Sequence, residues 1–143
     1  MLVKQISVFL ENKSGRLAEV TRTLGNNDID ISALSIADTT DFGILRLIVN
    51  KPEKAEQILK ENGFTVSGTS VIAIGVKDQP GGLAEVLEVL DRENIGIEYM
   101  YAFVGKTEDE ALVILRVEEP DRAIEVLKEN GISVLPSNQV YKL

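Results

Sequence analysis

The chain has 143 residues, a formal net charge of −8, 44% hydrophobic residues, and neither cysteine nor histidine. That composition excludes disulfides, thiolate nucleophiles, Cys/His zinc sites and a histidine general base, and the acidic balance offers no electrostatic footprint for nucleic acid or an anionic membrane surface. The length fits one ordinary domain or two small ones. No apolar run approaches a membrane span, no oxygen-ligand loop stands at EF-hand spacing, and Met1-Leu2-Val3-Lys4-Gln5 lacks the regions of a signal peptide. The expectation is a cytoplasmic protein without metal or cofactor.

In chain order, residues 2–10 read as a first strand, with Ile6, Val8 and Leu10 alternating with Gln5, Ser7 and Phe9. A loop at 12–16 leads to a helix ending near Asn26. Ile29 to Ala37 reads as a second strand, Asp38-Thr39-Thr40-Asp41 as a polar turn, and Gly43 to Val49 as a third strand, apolar on both faces apart from Arg46. Pro52 opens a short helix that Gly63 caps. Phe64-Thr65-Val66 starts a fourth strand, and Gly68-Thr69-Ser70 is the expected junction. The order then repeats: a strand at 70–77, a loop at 78–82, a helix to about 93, a strand from Ile95 to Val104, a longer turn at 105–110, a strand at 111–117, a helix from Pro120 to Asn130, and a closing segment from Ile132 to Leu135.

The repeat is visible in the residues. Leu17-Ala18-Glu19-Val20 returns 66 positions later as Leu83-Ala84-Glu85-Val86, and Leu59-Lys60-Glu61-Asn62-Gly63 returns 68 positions later as Leu127-Lys128-Glu129-Asn130-Gly131. The chain is therefore a duplication, with two extra residues expected in the turn at 105–110. Each copy is β-α-β-β-α-β, an α+β arrangement with two helices on one face of an antiparallel sheet. The predicted units are 1–68 and 69–143. Because the third strands are apolar on both sides, the face away from the helices is also expected to be covered.

The loop Asp78-Gln79-Pro80-Gly81-Gly82-Leu83 sits between the strand Val71–Val76 and the helix face Leu83, Val86, Leu87 and Leu90. Pro80 is expected in the first helical turn, and the glycines leave amide N–H groups at a helix N-terminus, which suits a carboxylate. Its counterpart is Asn12-Lys13-Ser14-Gly15-Arg16-Leu17.

Two β-α-β-β-α-β units with Asp78, Pro80, Gly81, Leu83 and Ala84 at the head of a first helix resemble a tandem ACT-domain protein. The first unit matches less closely: Asn12 stands in the place of Asp78 and Ser14 in that of Pro80, while Gly15, Leu17 and Ala18 are kept. The resemblance covers essentially the whole chain and leaves no segment for a catalytic domain. It implies a ferredoxin-like regulatory module that binds a free amino acid at an interface between paired units. One wall is the loop before the first helix and the other is the second strand of the paired unit. Carried onto this chain, the ligand residues are Asp78, Pro80, Gly81, Gly82 and Leu83, with Asn12, Gly15, Arg16 and Leu17 as the first-unit set. Ile31, Ser32, Ile97 and Glu98 are the candidate second walls. N–H groups of Gly81, Gly82 and Leu83 would hold a carboxylate, and Asp78 or Asn12 an ammonium.

Each of these residues has a plainer reading. Asp78 and Asn12 are ordinary helix caps, the glycines serve a turn, and Arg16 either clamps a carboxylate or extends into solvent, the preferred reading. Tyr99, Tyr101 and Phe103 form a stripe expected in core or subunit interface, and Glu98 is expected to be solvated. Three functions follow. The favoured one is a non-catalytic amino-acid sensor that forms a homodimer and acts on a partner metabolic enzyme or transporter. The alternative is an assembly module with no small ligand. A small enzyme of acylphosphatase type is disfavoured, since the Gly-x-Val-Gln-Gly-Val-x-Phe-Arg stretch of that family does not occur here.

Overall fold

Ile6, Val8 and Leu10 alternate along the first strand, β1 (Val3–Glu11), and all three are buried in one apolar cluster. That period of two is what a strand lying under helices requires. The computed structural model of the chain describes residues 1–11, 15–38, 42–104 and 109–143. Asn12, Lys13 and Ser14 of the first loop, 39–41 of the polar turn and 105–108 of the longer turn lie outside the described residues.

After β1 come α1 (Arg16–Asn26), β2 (Ile31–Asp38), β3 (Phe42–Val49), α2 (Pro52–Glu61) and β4 (Thr65–Lys77). The second pass runs through α3 (Gly82–Arg92), β5 (Ile97–Ala102), β6 (Glu110–Val117), α4 (Pro120–Glu129) and β7 (Ser133–Val134), and a single turn of helix, α5 (Ser137–Val140), follows. The fold is α+β, with two ferredoxin-like units of antiparallel strands and helices. The chain divides into two compact units, one of residues 4–69 with 141–143, the other of residues 1–3 with 70–140. In the first the strand order is β2-β3-β1-β4; in the second it is β5-β6-β4, with β7 also paired to β4.

Each unit has its own core. Val8, Val20, Leu24, Leu45, Leu47 and Leu59 are buried together in the first. Their counterparts Ile74, Val86, Leu90, Val113, Leu115 and Leu127 are buried together in the second. Proline stands at the start of both α2 and α4, where its missing N–H is no loss. Both helices are closed by a backbone bond from two residues beyond the cap, Phe64 N–H to the Leu59 carbonyl and Ile132 N–H to that of Leu127. Strand β2 ends at Asp38 and β3 begins at Phe42, whereas the matching positions are Val104 and Glu110, so the two extra residues fall in the longer turn.

Three features bear on the expectations drawn from the sequence. Residues 68–70, the expected junction, lie within one continuous strand, β4, instead of between two separate strands, and the division between the units falls between Thr69 and Ser70. A Cβ on Gly68 would lie 2.7 Å from Cε of Lys4, so the glycine makes way for that lysine stem. Gln5 and Ser7, on the polar side of the β1 alternation, are buried, and the Gln5 Nε2 donates to Ser7 Oγ at 3.0 Å. Ala33, Ile48, Ala73 and Ile114 are buried outside the two helix-side clusters, in keeping with a covered second face.

The Lys4 stem ends in a charge cluster, with Nζ 2.8 Å from a Glu53 oxygen and also paired to Glu56. Its hydrogen bond to Glu53 and then that to Glu56 hold the ammonium above its ordinary range. Lys4 first, then Lys60, hold the Glu56 carboxyl below its ordinary range. The Glu56 contribution is thus present above the unfolded carboxylate range and lost as pH falls through its lowered value. The Lys4 contribution is present below the ordinary ammonium range and lost as pH rises through its raised value. Lys4→Met is expected to flatten both limbs of a plot of Tm against pH; curves of the same shape for variant and parent would refute this.

Candidate functional site

The loop at 78–82 is built by a turn. The Gly82 N–H donates to the Gln79 carbonyl at 3.0 Å, and Gly81 has φ 85° and ψ −7°. With Pro80 and Gly81 at the two central positions this is a type II turn, which needs positive φ at its third residue and therefore glycine. Gly81 is then the N-cap of α3, and no side chain caps the helix. Two expectations are corrected here. Pro80 precedes the cap instead of occupying the first helical turn, and Asp78 does not cap the helix, because a left-handed glycine already holds that position. Gly82 N–H is also engaged by the turn. The amides of Leu83 and Ala84 lie in the first helical turn, where no intrahelical acceptor exists. Asp78 is exposed at the loop rim, its N–H bonded to the Asp109 carbonyl at 3.3 Å.

The first unit repeats the geometry as far as it is described. Gly15, φ 88°, is the N-cap of α1, and among the described residues no side chain caps that helix; Asn12 falls outside them. Leu17 and Leu83 stand at matching positions, and both are exposed.

Both candidate second walls are β-bulges. The register of β2 on β3 shifts between Ile31 and Ala33, and that of β5 on β6 shifts between Ile97 and Tyr99. Ser32 and Glu98 are therefore the extra residues, at equivalent places in the duplication. A bulge re-aims a side chain out of the ladder and recurs beside binding sites. Ser32 Oγ donates to the Leu143 carbonyl at 3.3 Å. Glu98 is exposed and its carboxylate lies 3.4 Å from Arg116 Nε. Along β5, the rings of Tyr99 and Tyr101 are stacked with centroids 6.5 Å apart, and Phe103 is buried.

Within one unit the structure does not bring the two walls together. Glu11 pairs with Phe42 and Ile31 with Val49, so seven residues of β3, about 23 Å, separate the loop end from the bulge end. The second unit repeats this, with Lys77 opposite Glu110 and Ile97 opposite Val117.

Arg16 does not extend into solvent as expected. Its guanidinium lies 4.6 Å from the Phe64 ring centroid and its Nη1 is 2.9 Å from Glu19 Oε2, leaving the side chain 27% exposed. No local cue pointed to this contact, since Phe64 is far along the chain. In the second unit Gly82 takes the place of Arg16 and Ile132 that of Phe64, and between them is a cavity of about 190 Å³. Lys77, Glu85, Glu110 and Ser133 also line it. Sequence reasoning passed over these four; laying the second copy on the first would have singled out Glu85, which matches Glu19. Among the described residues no cluster of acidic side chains fit to hold a metal ion is found, and no helix is long and apolar enough to cross a membrane.

The family model described as an ACT domain pair matches residues 1–143. A Bacteroides thetaiotaomicron protein of known structure is 49% identical, over 100% of this chain and 98% of that one, with a TM-score of 0.94. The ligand-free regulatory subunit of aspartate kinase from Thermus thermophilus is 17% identical, over 90% of this chain and 93% of that one, with a TM-score of 0.62. The corresponding subunit from Thermus flavus is 12% identical, over 88% and 90%, with a TM-score of 0.61. The last two share the fold. No protein of curated function matches the chain in sequence.

Proposed function

The chain belongs to the ACT domain pair family, and from that premise we propose that it is a non-catalytic regulatory protein that binds a free amino acid between paired ACT units. The turn at 78–83 supplies the first wall: the Leu83 amide meets the carboxylate, Asp78 the ammonium, and the exposed Leu83 side chain the apolar part. The bulged strand of the paired unit, at Ile31 and Ser32 or at Ile97 and Glu98, supplies the second. Gly15, Arg16 and Leu17, with Asn12, form the weaker first-unit counterpart, because Arg16 is committed to Phe64 and Glu19. The observation that carries the reading is the pair of matched bulges about 23 Å from the loops of their own units. A ligand touching both kinds of wall needs two units side by side. We place the protein in the cytoplasm as a homodimer that relays ligand occupancy to a metabolic enzyme or transporter; the printed description of the Thermus thermophilus relative, a regulatory subunit of aspartate kinase, is in line with that role.

A thermal-shift series with the twenty free amino acids tests this. A ligand at about one hundred times its Kd is expected to raise Tm by about 5 to 10 °C. Asp78→Ala removes most of that rise. A shift that Asp78→Ala leaves whole places binding elsewhere. No shift at millimolar concentration favours the assembly-module reading, for which the exposed Leu34 and Ile36 on the terminal strand β2 speak.

A further inference from the structure

The duplication allows one copy to report on the other. In the first unit, a guanidinium occupies the space between the start of α1 and the residue after the second helix, stacked on Phe64 and paired with Glu19. In the second unit the same space is open. Gly82 brings no side chain, Ile132 replaces the ring, and the cavity of about 190 Å³ remains, with Glu85 in the place of Glu19 and Glu110 at its edge. A filling residue in place of the glycine would force the turn open, because a Cβ there would stand 2.1 Å from the Lys77 carbonyl oxygen. The space is thus kept free by backbone geometry, while the carboxylate that partners the cation in the first unit is retained.

We infer that this cavity is a binding site for a small organic cation of the alkylguanidinium or alkylammonium class, whose charged group takes the position that Arg16 holds in the first unit. The charged end meets Glu85 and Glu110, and the alkyl part lies on Val76, Val86 and Ile132. A carboxylate near the cation strengthens its hydrogen bonds above those of a neutral pair. The site lies wholly within the second unit and does not depend on the amino-acid reading of the loops.

The test is isothermal titration calorimetry of the full chain with agmatine, which carries a guanidinium and an amine but no carboxylate, so the amide groups of the loop have nothing to hold. One equivalent is expected to bind per chain. Glu85→Gln and Glu110→Gln each weaken binding at least tenfold, whereas Glu88→Gln, which removes the same charge from the exposed side of α3, leaves it unchanged. Arg16→Gly opens the equivalent space beside Glu19 and Phe64, where Phe42 stands in place of Glu110, so a second equivalent binds at least tenfold more weakly than the first. Melting curves of each variant confirm that it is folded. No binding of agmatine to the parent at millimolar concentration overturns the inference, as does equal affinity in the Glu85→Gln/Glu110→Gln double variant. Binding by Arg16→Gly alone also overturns it, since the second unit would then be closed to cations.

Discussion

Ile74→Ala is expected to lower the stability of the chain by about 2–5 kcal/mol, the usual range for emptying a large aliphatic site in a close-packed core. Ile74 is fully buried in the second cluster. It lies on β4 between two neighbours, opposite Val113 on β6 and Val134 on β7. Strands paired on both sides cannot close in on a void without breaking ladder bonds, so relaxation is limited and the upper half of the range is the expected outcome. Phe9→Ala is the control: that ring is larger but 44% exposed, and its loss is expected to stay below about 1.5 kcal/mol. Denaturant titrations at a constant m-value measure both. Equal losses would mean that the second core is loosely packed and that the burial described here does not set stability.

Gly82→Ala is expected to be almost as damaging, though it adds a single carbon. The new Cβ would stand 2.1 Å from the Lys77 carbonyl oxygen and 3.1 Å from its carbon. Both belong to the backbone of β4, so no rotamer change relieves the clash, and the turn at 79–82 must open. Overpacking of this kind costs about 1–3 kcal/mol and sometimes more. The first unit supplies the contrast, because Arg16 already carries a side chain at the matching position. Arg16→Ala gives up its contact with Phe64 and an ion pair with Glu19, for a loss of about 1 kcal/mol. If Gly82→Ala melts with the parent, the strand-to-helix turn is more compliant than its geometry implies.

Much of the architecture was legible because the two copies repeat distinctive short strings. The Leu-Ala-Glu-Val and Leu-Lys-Glu-Asn-Gly matches fix the register of four helices, and the prolines and glycines fix their ends. What escaped depends on contacts distant in sequence. Gly68 marked the junction between the copies, but the lysine stem that crosses it comes from 64 residues away and leaves no local trace. Arg16 looked solvated because its aromatic partner closes the other helix of the unit. Gln5 and Ser7 hold the polar places of the β1 alternation and are buried, as a covered second face requires. The loop glycines were found and their turn was read, but Pro80 and Asp78 were misplaced: a positive φ at Gly81 removes the need for an Asp78 cap, and Pro-Gly at the centre of a type II turn is the pattern that would have put the cap at Gly81. Of the site, the loops came from composition, whereas the bulges at Ser32 and Glu98 are invisible to a strict period of two.

The compact unit of residues 4–69 also contains Tyr141 to Leu143, and the other unit contains the first three residues of the chain. The Tyr141 hydroxyl accepts the Lys4 N–H at 2.9 Å, and Leu2 packs on the second core. A gene cut between codons 69 and 70 would therefore encode no intact unit: each product would lack a short piece that only the other carries. Each copy is complete only when the other is present in the same chain.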